Sequence, residues 1–228
     1  MTETTTTTQN TSGDFLVGES GGNANKYYVS PPAGTYQAVC VDLEDLGIVE
    51  PSKPEYKAQR MFQIVFQLDA RITPDMIAAA KAEKGLPAEL DEKDQKRIGQ
   101  RLTIRSRRFT FTLGERSNLR PFLQAWRGKV FSKDELKNKF DVERLIGANA
   151  QIAVVENPSK DGTVVYSNIG SIMPWNKKFG ELIEPENYTR KRDREAAAAA
   201  EKAKAATATA GGNAAPAVEA VDDDEPPF

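Results

Sequence analysis

The chain has 228 residues, 31 basic and 33 acidic side chains, one cysteine and no histidine, for a net charge of −2. The lack of histidine excludes His-dependent triads, HExxH zinc sites and imidazole general bases. A lone Cys40 excludes an internal disulfide and suits a reducing cytosol. No run resembles a signal peptide or approaches the ~20 apolar residues of a membrane span, so a cytoplasmic protein is expected. Neither GxxxxGK[ST] nor CxxC occurs, and no cofactor, metal or catalytic residue is expected.

Residues 1–30 contain the run Thr4 to Thr8 and the Gly- and Asn-rich stretch Gly18 to Asn25, too little apolar surface to offset chain entropy. They are expected to form a disordered arm, followed by one domain over 31–180. The charge is unevenly divided: −2 over 1–30, +5 over 31–180 and −5 over 181–228. A basic body with an acidic extension points to a polyanionic ligand and a separate interaction arm.

Tyr36 to Leu46 alternates, with Val39, Val41 and Leu43 on one face and Tyr36, Ala38 and Cys40 on the other; this predicts the first strand. Phe62, Ile64, Phe66 and Leu68 repeat at period two and predict the second, after a loop broken by Pro51 and Pro54. A helical insertion is predicted over 73–99. Thr73 caps its first helix with Pro74 at the first position, Gly85 ends that helix, and a second runs from Leu86 to Ile98.

Arg101 to Leu113 predicts a third strand with a phase change. Leu102 and Ile104 share one parity; Phe109, Phe111 and Leu113 share the other, so a bulge near Ser106 to Arg108 is expected to bring both sets into the core. Leu119, Phe122, Leu123 and Trp126 form one helical stripe that Gly128 ends. Ser132 to Glu135 is a capping box, with Phe131 and Leu136 placed as a hydrophobic staple. Residues 149–156 and 163–173 predict two last strands, joined by a turn near Lys160 to Gly162. Three strands, a helical segment and two strands are the element order of the oligonucleotide-binding fold, a five-stranded Greek-key barrel.

Beyond 180, Arg190, Lys191, Arg192 and Arg194 predict the start of a helix running into Ala196 to Ala206, within a helical and low-complexity linker over 181–221. Residues 222–228, Asp222-Asp223-Asp224-Glu225-Pro226-Pro227-Phe228, join an acidic run to an aromatic ring. The acids steer towards a basic partner surface and the ring fills an apolar pocket there. This tip resembles that of bacterial single-stranded DNA-binding proteins, which ends in acids followed by Ile-Pro-Phe; Pro226 stands here in place of the Ile. The body is more similar to phage and prophage single-stranded DNA-binding proteins, through Phe109 to Gly128, Phe131 to Leu136 and Leu145 to Gly147. The resemblance implies an oligonucleotide-binding barrel that holds single-stranded DNA. It also implies recruitment of replication, recombination or repair proteins by Asp222, Asp223, Asp224, Glu225, Pro227 and Phe228.

Eight bases lie between Arg101 and Lys129 (Arg101, Arg105, Arg107, Arg108, Arg116, Arg120, Arg127 and Lys129) against one acid, Glu115. Interleaved with Phe109 and Phe111, they suit a groove that tracks phosphates and stacks bases; the plainer reading is a solvated strand face and helix surface. Trp126, Phe62 and Phe66 read as core. Tyr36, opposite the apolar parity, and Tyr56, in the first hairpin loop, are stacking candidates. Trp175, beside Lys177 and Lys178, either stacks on a base or caps the barrel bottom. Two other readings stand beside single-strand binding: a strand-annealing recombination factor, and a metal-dependent nuclease using Asp42, Glu44 and Asp45; the oligomeric state stays open, a homo-oligomer included.

Overall fold

The structure, a computed structural model, describes residues 27–51, 55–138, 140–159 and 165–210. The N-terminal arm up to 26 and the tip 222–228 lie outside them. Among the described residues, six strands form one antiparallel sheet: β1 (Gly34–Val49), β2 (Gln59–Arg71), β3 (Arg101–Arg105), β4 (Phe109–Thr110), β5 (Asn149–Pro158) and β6 (Val165–Pro174). The hydrogen-bonded order is β3-β2-β1-β5-β6, with β4 also on β2. Five helices accompany it: α1 (Pro74–Ala82), α2 (Glu92–Arg97), α3 (Leu119–Arg127), α4 (Lys133–Lys137) and α5 (Lys191–Ala210).

The sheet curls so that β3 approaches β6, yet no ladder joins them, which corrects the expected closed five-stranded barrel. The reason lies in residues 27–33, which run through the gap. Val29 and Pro31 are buried there. The Tyr28 hydroxyl donates to the Thr103 carbonyl of β3, while Ser167 Oγ of β6 donates to the Pro31 carbonyl at 2.7 Å. The segment spends these polar groups on both edges where a closing ladder would run.

The sixth strand arises from the phase change. Arg105 pairs with Val65 and Phe109 with Phe62, so three residues on one side oppose two on the other. Ser106 secures this bulge from within: its Oγ accepts from Ile64 N at 2.9 Å and donates to the Arg107 carbonyl at 2.8 Å. Leu102, Ile104 and Phe109 consequently all reach the core, whereas Phe111 remains half exposed against Phe62 and the Arg60 guanidinium.

The main core is Ala38, Cys40, Phe62, Ile64, Phe66, Leu68, Ala150 and Ile152 of the sheet, closed by Leu119, Leu123 and Trp126 of α3. The Trp126 ring meets Phe66 edge-on at 5.1 Å, and its Nε1 donates to the Asn149 carbonyl at 2.9 Å. Burial pushes the Cys40 thiol up to about 12, which leaves it unreactive. Gly128 ends α3 at φ +69°, and a Cβ there would stand 2.6 Å from Pro174 Cγ, so glycine is required on both counts.

Three further expectations are corrected. The β1 parity is the reverse of the expected one. Ala38 and Cys40 face the main core, a register shift between Cys40 and Asp42 brings Leu43 to it, and Val39 and Val41 lie on the other face with Val65. The second insertion helix starts only at Glu92, where Asp91 and Asp94 form a capping box. Residues 181–190, expected to open the linker, instead cross the second sheet face as a strap, with Ile183 and Tyr188 packed on Val39, Val41 and Val65. The capping box of Ser132 and Glu135 at α4 is present as expected.

Candidate nucleic-acid interface

The bulge that completes the core also aims two side chains outward. With Ser106 buried and bonded, Arg107 and Arg108 project from the β3–β4 turn, exposed, and no carboxylate pairs with either among the described residues. They line a cleft of about 400 Å³ in the open seam, together with Arg105, Gln63, Tyr28 on the N-terminal segment and Tyr166 and Asn168 on β6. Tyr28 is 47% and Tyr166 54% exposed. Arg107 also borders a second cleft of about 280 Å³, between Phe122 and Ala125 of α3 and Ile169 to Ile172 of β6. Arg107 thus stands between two clefts that both border β6.

The eight bases of the Arg101 to Lys129 stretch do not act as one patch. Arg101 is largely buried on the strap side, where its Nε donates to Glu186 at 3.0 Å. Arg105 clasps the buried Glu44 with two bonds of 2.9 and 3.0 Å. Arg127 pairs with Glu135 and lies over the Phe131 ring at 4.3 Å. Arg116 and Lys129 are exposed in the loops flanking α3, and Arg120 is half-buried on the helix.

The aromatic candidates divide as well. Tyr36 is half-buried on the core side of β1 and donates to the Pro32 carbonyl at 3.0 Å. It shares with Trp175, Met173 and Asp69 a separate cleft of about 750 Å³. Trp175 Nε1 is buried there without an acceptor among the described residues. Lys177 and Lys178 are exposed on the 3₁₀ turn that follows, and Tyr56 is exposed in the β1–β2 loop. Tyr28 and Tyr166 were not among the residues expected from sequence. For Tyr166 a signal existed: it opposes Ser167 and Ile169, the more buried parity at the start of β6. For Tyr28 none did, because its position depends on the chain threading the seam.

The three carboxylates considered for nuclease chemistry are each held by the chain itself. Asp42 accepts from Lys191 N at 2.7 Å and from the Tyr188 hydroxyl at 3.2 Å; Glu44 holds Arg105; Asp45 holds Arg60 and accepts from Gly47 N at 2.9 Å. Among the described residues no three His, Cys, Asp or Glu side chains are grouped to hold a metal ion, and no helix is long and apolar enough to cross a membrane. Comparison with protein families, curated proteins and solved structures finds no match for this chain.

Proposed function

We propose that the protein binds single-stranded DNA without sequence preference, in the seam groove between β3 and β6, and recruits partner proteins through residues 222–228. The observation that carries this reading is the seam cleft: two exposed arginines without carboxylate partners among the described residues share it with two exposed tyrosine rings. Guanidinium groups neutralise phosphates regardless of sequence, and every base offers a face to a ring, so this pairing of groups suits a sequence-tolerant strand binder. The strand order β3-β2-β1-β5-β6 supports it further, being that of an oligonucleotide-binding barrel left open at its closing seam.

Replacing Tyr166 with Ala tests the site. The side chain is exposed at a sheet edge, so the melting temperature is expected to stay put while affinity for an oligothymidylate falls by ~1–3 kcal/mol, the contribution of one stacked base. Unchanged affinity would remove Tyr166 from the interface. For partner recruitment, a chain lacking 222–228 is expected to lose capture of replication and repair proteins while retaining its fold. Capture that persists would locate recruitment elsewhere.

A further inference from the structure

The strap 181–190 is held on the sheet in a manner unlike ordinary packing. Side-chain amides of the sheet grip its backbone at two points each. Gln67 Nε2 donates to the Glu186 carbonyl at 2.6 Å while its Oε1 accepts from Glu186 N at 2.8 Å. Asn149 treats Ile183 in the same way, with both bonds at 2.9 Å. Beside Gln67, the Glu186 carboxylate is received by Arg71 through bonds of 3.0 and 2.9 Å and by Arg101 at 3.0 Å. One donor is left over: Arg101 Nη1 is buried with no acceptor among the described residues. Two guanidinium groups that receive one singly charged carboxylate through its two oxygens can receive in the same way the two non-bridging oxygens of a phosphodiester, and the spare Arg101 N–H faces the same place. Two-point amides of Asn and Gln are likewise the groups that pair with base edges.

We propose that the strap is an internal stand-in for a nucleic-acid strand, and that the face beneath it is a second single-stranded DNA site. In that site a phosphate takes the place of the Glu186 carboxylate between Arg71 and Arg101. Gln67 and Asn149 turn from the strap backbone to bases, and base faces cover Val39, Val41 and Val65. At the Arg71 and Arg101 position the exchange keeps the charge, one carboxylate for one phosphodiester. This proposal rests on the single-strand reading above, but it concerns a different face of the sheet and a different observable, the departure of the strap.

Amide hydrogen exchange on the full chain, free and saturated with an oligothymidylate of about 16 nucleotides, reads that departure directly. In the free chain the amides of Ile183, Glu186 and Lys191 are bonded to Asn149, Gln67 and Asp42 and are expected to be protected. Saturation is expected to speed their exchange at least tenfold. Glu186→Gln, which weakens the hold of the arginines but keeps the shape of the side chain, is expected to bind the oligonucleotide about threefold to tenfold more tightly at low salt. If the oligonucleotide saturates the chain and the three amides keep their protection, the strap is a fixed part of the fold and the proposal is overturned, whatever Glu186→Gln does. If the unaltered chain does not bind the oligonucleotide, the seam reading fails instead. In that case Glu186→Gln decides: binding gained by the variant upholds the site under the strap, and no binding removes it.

Discussion

Arg105 and Arg107 stand two positions apart in one basic stretch, yet their surroundings give them opposite tasks. Arg105 neutralises Glu44, whose side chain is 8% exposed, so its loss strands a buried carboxylate. Arg107 has no carboxylate partner among the described residues and faces the groove. The alanine variants should therefore separate. Arg105→Ala is expected to lower stability by about 1–3 kcal/mol, the cost of an unsatisfied buried group, reduced from the fully buried case because Arg105 itself is partly solvated. The pair Arg107→Ala with Arg108→Ala is expected to leave the melting temperature unchanged. It should also reduce the log–log salt slope of single-strand binding by about 0.7 for each lost phosphate contact. Thermal melts and salt-titrated binding on both variants check this. A stable Arg105→Ala chain, or an Arg107/Arg108 variant with an unaltered slope, would contradict the assignment.

At the scale of elements, the helical insertion is fastened by one buried ionic cluster. Lys81 of α1 bonds Asp94 of α2 at 2.8 Å, and the Tyr27 hydroxyl donates to the same carboxylate. Burial raises the Asp94 carboxyl, but the bonds from Lys81, Tyr27 and the Asp91 backbone outweigh it and hold the group down at about 2, against an ordinary 3.8. A depressed carboxyl stabilises the fold in full above its unfolded value and loses that contribution as the pH falls through its folded one. The melting temperature should accordingly drop between about pH 3.8 and about pH 2, and Asp94→Asn should flatten that part of the profile. An unaltered acid profile in the variant would place the acid-sensitive groups elsewhere. Elements such as α3, the Ser132 capping box and the bulge at Ser106 were legible because each is written in a local period or cap. The parity of β1 was not. Val39 and Val41 look like core residues because they are buried, but what buries them is a strap some 140 positions away in sequence. The seam cleft escaped detection for the same reason. Arg107 announced itself in a charge count, whereas Tyr28 and Tyr166 meet it only through the path of residues 27–33 and the curl of the sheet.

On the scale of the whole molecule, the charge division acquires a physical location. Of the bases between Arg101 and Lys129, Arg101, Arg105 and Arg127 are paired with Glu186, Glu44 and Glu135, while Arg107 and Arg108 stand at the seam beside β6 without a carboxylate partner among the described residues. The seam is thus both the departure from a closed barrel and the proposed place of the strand. The most direct test is a salt-titrated comparison of the full chain on a single-stranded oligonucleotide and on the duplex of the same sequence. Binding to the single strand is expected to be much the tighter, weakening with salt along a slope of about 0.7 per phosphate neutralised. Equal affinity for the duplex, or single-strand binding that does not respond to salt, would contradict it.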